Sequence, residues 1–469
     1  MPKIKEASSY FFKNSALASS DGDRLDFYYW HPKFDEIDRT LSSTKFQISI
    51  LKNLVKNPII SGKTPENYIY RMKGIPFIGS RNIRNGYLDL NDLVYIDESI
   101  HNGLLKSSKV GKNDVLVTMA GSIGRCVMYA DEKESNINQA VARIQTIEEE
   151  IKPQYLTYFL NSHLGQIQFD RNKHDVNQPN INTTEIGEIK IIKPPIELQE
   201  DIIAKLSIME KEIDSITKKQ SDTLKYYQNI IPSKIKIDTL TREDFYYKDN
   251  DGRDDRLDFE WNHPSANKLQ EALKRERGIA LSDLLDGEID YGINDYGRTK
   301  GKISFINIEN LDVDGRIHIE GVRYLDKATP KKLLKEDDIL ISRSRTVGSC
   351  GLVSKKEEEY AFGSYVLRFR VKNEIVKPLY VVSFINSVLG QEQIRYLQTG
   401  SRNVEHGGGN NINPDWLKQL IVVSPKTPKE QGELIEEIMN TLNEKERVDE
   451  ILKKKKEEYS KAFEKMLVS

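Results

Sequence analysis

One unit is written twice in this chain, and that duplication constrains the fold more than any other feature. DRLDF stands at 23–27 and returns at 255–259, and His31-Pro32 returns as His263-Pro264 at the same offset of 232 residues. Lys-Ile-Lys at 3–5 reappears at 234–236. Asp114-Val115-Leu116 is echoed by Asp338-Ile339-Leu340, and Gly124 and Cys126 by Gly348 and Cys350, all at an offset of 224. Lys152-Pro153 pairs with Lys377-Pro378 and Leu164-Gly165-Gln166 with Leu389-Gly390-Gln391 at 225, and Asn180-Ile181 pairs with Asn411-Ile412 at 231. An offset that drifts and recovers is what loop insertions and deletions leave behind. So many matches in order mark an internal repeat. The matched positions are mostly apolar, Gly, Pro or Asp, which are framework types. Between them the loops differ: ISGKTPENYIYRMKG at 60–74 has no clear counterpart in YGINDYGRTKG at 291–301. One scaffold with two loop sets points to two related but distinct ligands.

Within each copy, short β-branched runs bounded by Gly, Asp or Asn predict strands: DVLVTMAG, RCVMYA and AVARIQTI in the first, DDILISR, CGLVS and YVLRFRV in the second. Apolar period and a leading proline predict helices over 153–170 and 378–397. Each copy ends in a strand that stops at prolines, EIKIIKPP and LKQLIVVSPKTP. The fold class is therefore α+β, appearing twice.

A long amphipathic helix follows each copy. In the first, Ile202, Leu206, Met209, Ile213 and Ile216 step by alternating fours and threes, and the register continues through Gln220, Thr223, Tyr227 and Ile230. In the second, Ile438, Leu442, Lys445, Asp449, Leu452, Lys456, Tyr459, Phe463 and Met466 keep the alternation. These are heptad seams with polar interruptions, and neither stripe can be buried by its own helix. Some 40 residues of helix reach roughly 60 Å. The first helix must carry the chain from one globular copy to the next. If the second pairs with it, the two run antiparallel, as a coiled coil with a domain at each end and an approximate two-fold axis. The expected division is 1–195 and 239–427 for the globular domains, 196–238 and 428–469 for the helices.

Several chemistries lack support. Gly62-Lys63-Thr64 is not a P-loop, because the required earlier glycine is Asn57. No Asn/Asp-Pro-Pro-aromatic motif or Gly-rich methyl-donor loop is present, and the seven histidines and two cysteines have no metal-ligand spacing. Pro414-Asp415 has no nearby Glu-x-Lys to make a nuclease site, and Gly121-Ser122-Ile123-Gly124 reads as a tight turn between strands. Cys126 and Cys350 read as small buried strand residues, Tyr227 and Tyr459 as seam packing, and Lys453 to Lys456 as a solvated helix face. No apolar stretch is long enough for a membrane helix, and MPKIKEASSYFFKNS does not resemble a secretory signal. With only two distant cysteines the expectation is a cytoplasmic protein. A net charge of −2 argues against simple coating of polyanions but not against local basic patches.

Those patches lie in the loops. In the first copy they hold Arg81, Asn82 and Arg84, then Arg125, then Arg171, Lys173, His174, Asn177, Gln178 and Asn180. In the second they hold Arg298, Lys300 and Lys302, then Arg343 and Arg345, then Arg402, Asn403, His406, Asn410 and Asn411. Arginine pairs bidentately with guanine edges, Asn and Gln with adenine edges, and Lys holds phosphates. Glycine-rich backbone permits close approach to a polyanion.

The chain resembles the specificity subunit of type I restriction–modification systems. The resemblance is carried by DRLDFYYWHP at 23–32 and DRLDFEWNHP at 255–264, and by DVLVTMAGSIGRC at 114–126. It is carried also by the junctions into the long helices, NQPNINTTEIGEIKIIKPPIELQEDI and TGSRNVEHGGGNNINPDWLKQLIVVSPKTPKEQGELIEEI. DDILISRSRTVGSC departs from the Gly-Ser-Ile-Gly form and carries two arginines instead. The resemblance implies two target-recognition domains, each reading one half of a split double-stranded DNA site in the major groove. It implies that the helices act as spacers docking two methyltransferase subunits, that restriction subunits join, and that S-adenosylmethionine is used on the partners for adenine methylation. This chain would hold no cofactor and no catalytic residue. The alternative is a coiled-coil adaptor that binds only proteins. Doubled loops of Arg, Asn and Gly favour the first, net charge −2 the second, and no site supports an enzyme acting alone.

Overall fold

The computed structural model describes residues 32–66, 68–174, 179–235, 264–398 and 411–468. The chain divides into two compact units, one running to Ser215 and taking in Leu452–Ser469, the other Ile216–Ile451.

The first unit contains α1 (Asp35–Ser43), β1 (Gln47–Ile50), β2 (Ile60–Ser61), β3 (Ile75–Ile78), β4 (Val94–Ile96), β5 (Lys109–Val110), β6 (Val115–Thr118), β7 (Cys126–Met128), β8 (Ser135–Ile137) and β9 (Val141–Ile144). Then come α2 (Pro153–Asn161), α3 (His163–Asn172), β10 (Lys190–Lys193) and the start of α4 (Ile196–Ile230). Two four-stranded sheets have the orders β2-β9-β6-β7 and β4-β3-β8-β5, and β1 pairs with β10. Strand pairs are antiparallel except β3 with β8. Strand β6 is apolar to its last residue and buried along its whole length, as a strand between two neighbours must be. The largest apolar cluster joins β6, β9, α2, α3 and β10 to Ile202 and Leu206 of α4 and to Phe463 and Leu467.

The second unit repeats this plan. It contains α5 (Pro264–Arg275), β11 (Gly278–Ala280), β12 (Asp290–Tyr291), β13 (Ile303–Ile306), β14 (Arg323–Leu325), β15 (Ile339–Ser342), β16 (Cys350–Leu352), β17 (Ala361–Phe362) and β18 (Val366–Phe369). Then come α6 (Pro378–Asn386), α7 (Val388–Leu397), β19 (Ile421–Val423) and α8 (Pro428–Val468). The sheet orders are β12-β18-β15-β16, β14-β13-β17 and β11-β19, with β13 and β17 the parallel pair. The antiparallel bridge of Leu333 to Ala361 takes the place of β5. Its main cluster includes Tyr227 and Ile230 of α4 and Ile438 and Leu442 of α8.

Three expectations change in detail. The helices expected over 153–170 and 378–397 are each two helices, broken at Ser162 and Ser387. Both serines are extended, near φ −69° and −68°, and accept the N–H of Gly165 and Gly390 as N-caps. A β-carbon on Gly165 would lie 2.4 Å from the Phe159 carbonyl oxygen, and one on Gly390 2.2 Å from that of Phe384, so both copies keep glycine at the break. The segments 60–74 and 291–301 are also counterparts. Arg71 bridges to Tyr95 of β4, and Arg298 bridges to Tyr324 at the same register of β14. The hydrophobic pattern hides this because the two loops differ in length.

The long helices share apolar clusters with the globular bodies, so the compact units take in parts of both helices. Ile202, Leu206, Ile438, Leu442, Leu452 and Phe463 are buried, and Met209, Ile213, Ile216 and Tyr459 are half-buried. Lys456 is exposed, whereas Val448 is buried and Lys455 reaches Glu212 at 2.9 Å. The least exposed face of α8 thus runs through buried Val448 and Leu452 and half-buried Lys455 and Tyr459, offset from a strict heptad. An unsupercoiled helix drifts by about 20° per heptad. Within the first unit α4 and α8 run antiparallel: Glu210 meets Tyr459 and Glu212 meets Lys455. Within the second they do the same, Gln220 meeting Asp449 and Tyr226 meeting Glu437.

Candidate nucleic-acid interface

The hairpins β6–β7 and β15–β16 are built alike. The Thr118 hydroxyl accepts the Arg125 N–H at 3.0 Å, and the Ser342 hydroxyl accepts the Ser349 N–H at 3.0 Å. Gly124 N–H donates to the Thr118 carbonyl and Gly348 N–H to that of Ser342, each at 2.9 Å. Beyond each first strand the chain stays hydrogen-bonded. Met119 N–H donates to Ala140, and Arg343 N–H to Tyr365. The loop that precedes β10 or β19 joins at the same edge, where Ala120 bridges to Asn180 and Ser344 to Asn411. Each loop is then locked by an asparagine N-cap: Asn182 accepts from Glu185 N–H at 3.0 Å, and Asn413 from Trp416 N–H at 2.9 Å. Each unit therefore carries one edge on which a hairpin tip lies beside a described asparagine segment, 180–182 or 411–413.

The side chains on this edge differ between units. In the second, Arg343 Nε donates to Asn411 Oδ1 at 3.1 Å, and its guanidinium lies 4.9 Å from the Tyr291 ring centroid. Arg345 is exposed at the hairpin tip, with φ 59°. Tyr365 is 53% exposed beside them. In the first unit, positions 119 and 121 are Met and Gly, and the arginine sits instead at Arg125, where the second unit has Ser349. His174, bridged to Asn180 in the backbone, has its ring against Glu185. Arg125, Arg345, Lys300 and Lys302 have no side-chain hydrogen bond or ion pair among the described residues, and Arg345, Lys300 and Lys302 are exposed. The hairpins thus offer Arg125 and Arg345 as cations without a side-chain partner among the described residues, and a polyanion can be met there.

Other expected contacts are committed elsewhere. Asn82 is buried: its Oδ1 accepts from Gly79 N–H at 3.1 Å and its Nδ2 donates to the Asp89 carbonyl at 3.2 Å. Asn310 does the same in the second unit with Asn307 and His318, so Asn82 is framework and cannot reach a base. Arg298 pairs with Asp326 as Arg71 pairs with Asp97, at equivalent places beside β14 and β4, and its side chain stays exposed. Arg171 is turned inward to Asp38 at 3.0 Å, and Arg84 is held by Asp89 at 2.9 Å. Lys173 is paired with Asp170 at 2.6 Å, and Arg81 donates to the Asp92 carbonyl at 3.1 Å. Asn177, Gln178, Arg402, Asn403, His406 and Asn410, and both DRLDF segments, lie outside the described residues. Sequence inspection missed Tyr291 and Tyr365, which flank Arg343 only after sheet pairing brings them there.

Cys126 and Cys350 are fully buried, and burial pushes both thiols up, which leaves them unreactive. Among the described residues no group of three or more His, Cys, Asp or Glu is placed to hold a metal ion, and no helix is long and apolar enough to cross a membrane.

Residues 45–226 match the type I restriction modification DNA specificity domain. The chain is 32% identical to the type I restriction enzyme EcoBI specificity subunit of Escherichia coli over 229 residues, a match that spans only about half of each protein, 47% and 48%. It is 24% identical to the putative type I restriction enzyme MjaX specificity subunit of Methanocaldococcus jannaschii, over 84% of this chain and 85% of the relative. Among solved structures it is similar to the type I restriction–modification S subunit from M. genitalium, with TM-score 0.43 and 11% identity over 90% of this chain and 96% of that one. Over residues 45–226 the chain is thus similar to a type I restriction modification DNA specificity domain, and the curated relatives it resembles are type I restriction enzyme specificity subunits.

Proposed function

We propose that this chain is the DNA-reading subunit of a type I restriction–modification complex. Its two globular bodies read different halves of a bipartite double-stranded target. The observation that carries this reading is the repeated edge: one hairpin-and-loop framework, built twice, with its arginines at different positions. A shared framework gives both bodies the same approach to a groove. A different set of side chains gives each its own base preference. In this reading α4 and α8 form one antiparallel coiled coil with the two recognition bodies at opposite ends, related by a pseudo-two-fold axis, and the coil sets the gap between half-sites. It also docks two methyltransferase subunits, which bind S-adenosylmethionine, and restriction subunits join them.

The test uses the chain assembled with its methyltransferase partners and a randomised target library. Arg125→Ala relaxes base preference in one half-site and Arg345→Ala in the other, each costing about 1–3 kcal/mol at the affected position if the contact is bidentate. Equal relaxation of both halves by either variant would refute a two-reader chain.

A further inference from the structure

In the second unit the loop between β13 and β14 carries a buried carboxylate, Asp314. Its Oδ2 accepts from Lys445 Nζ of α8 at 3.0 Å and lies 2.9 Å from His318 Nε2, while Oδ1 accepts the Arg316 N–H at 3.1 Å. Lys445 also donates to Asp449 Oδ2 at 2.7 Å, and Asp449 Oδ1 accepts from Gln220 Nε2 of α4 at 2.6 Å. Beside this chain of contacts Arg316 donates to Asn443 Oδ1 at 3.0 Å and pairs with Glu446. One loop of the globular body is thereby joined directly to α8 by directional, charge-assisted bonds, and through Asp449 of α8 to Gln220 of α4. Burial alone would raise the Asp314 carboxyl, but His318 and Lys445 outweigh it and bring it down to about 2. The cluster is therefore charged at neutral pH.

The first unit makes the corresponding junction with different groups. Its equivalent loop closes on itself through Arg84 and Asp89. The body is instead tied to α4 and α8 through Glu210, which accepts from Tyr158 at 2.7 Å and from Tyr459 at 2.8 Å. Apolar packing could hold either body to its helices just as firmly, because a buried ion pair is weak evidence of added stability. What apolar packing cannot supply is angle: hydrophobic contact is non-directional, and hydrogen bonds between charged groups are short and oriented.

We propose that the Asp314–Lys445–Asp449–Gln220 cluster is a positioning latch, fixing the angle at which the second body presents its recognition edge and so the target spacing it accepts. This rests on the bipartite reading above. The latch residues touch no DNA; they act through the body they hold.

The experiment uses the full chain with its methyltransferase partners and a series of targets whose gap is lengthened or shortened one base pair at a time. Lys445→Met should keep the base preference of both half-sites but weaken discrimination against non-native gaps by about tenfold, the scale of one charged hydrogen bond. Lys445→Arg should restore it. Gln220→Leu, at the edge of the cluster and outside the apolar core, should relax the gap in the same direction by less. The latch is overturned if folded Lys445→Met and Gln220→Leu both keep the native gap preference, or if they lower methylation equally at every gap. A native chain with no gap preference at all would overturn the bipartite reading, and the latch with it.

Discussion

Gly121 and Arg345 occupy the same place in two copies of one hairpin, and both have left-handed backbone, with φ 77° and 59°. Glycine adopts that conformation freely, whereas a residue with a β-carbon is strained there by about 1 kcal/mol or more. The second unit accepts the strain and in return projects an uncommitted guanidinium from the tip of the turn. Backbone strain of this kind concentrates at functional sites.

Arg345→Gly should therefore separate stability from recognition. The variant should be as stable as the native chain or more so, by up to about 1 kcal/mol, while DNA binding through the second unit weakens. Thermal unfolding and DNA binding of the assembled complex check it. A variant that melts lower and binds DNA as before would show that Arg345 serves the turn and not a ligand.

Arg343 should behave differently, because its guanidinium is already engaged by Asn411 and the Tyr291 ring. Arg343→Lys keeps the charge but loses the planar fork and the stacking. It should weaken recognition nearly as much as Arg343→Ala. If lysine substitutes fully, Arg343 supplies only charge.

The long helices predict a graded response. Ile202 is fully buried against the first body, whereas Ile213 is only half-buried. Ile202→Ala should cost about 2–5 kcal/mol, and Ile213→Ala clearly less, as measured by denaturant unfolding. Equal losses would contradict the division of α4 between cluster-bound and seam-only positions.

His318 gives the second unit a pH dependence. Its hydrogen bond to Asp314 raises its pKa above the ordinary value. The stabilisation is therefore complete below about pH 6.5, the ordinary histidine value, and is lost as pH rises through the higher folded value. Asp314, brought down to about 2, contributes above its unfolded value and fails only in strong acid. Unfolding temperature should fall as pH rises past about 6.5, and His318→Asn should flatten that slope. An unchanged slope would remove His318 from the account.

Much of the fold was legible in the sequence, because a repeat exposes its own framework. Asp114 and Asp338, and Cys126 and Cys350, hold the same buried positions in both units, whereas the serine breaks before Gly165 and Gly390 did not show in the apolar period. The site was legible only in part. Composition cannot distinguish an arginine that faces solvent from one that closes a loop. Arg298, for one, makes the same exposed pair with Asp326 that Arg71 makes with Asp97, which composition does not reveal. Asn82 was misassigned for a related reason: an amide suits an adenine edge and a buried turn equally well, and its environment decides. Lys456 illustrates a third limit, since a strict heptad drifts off the buried stripe of a helix over several turns.

The central claim is that one chain reads two different sequences at a fixed separation. Sequencing methylated adenines in the native host and in a strain deleted for this gene tests it most directly. The account predicts the loss of a single bipartite motif, two unlike specific halves flanking a non-specific gap of constant length, with that gap altered when seven residues are inserted into α4. Loss of a continuous motif, or no motif lost at all, would contradict it.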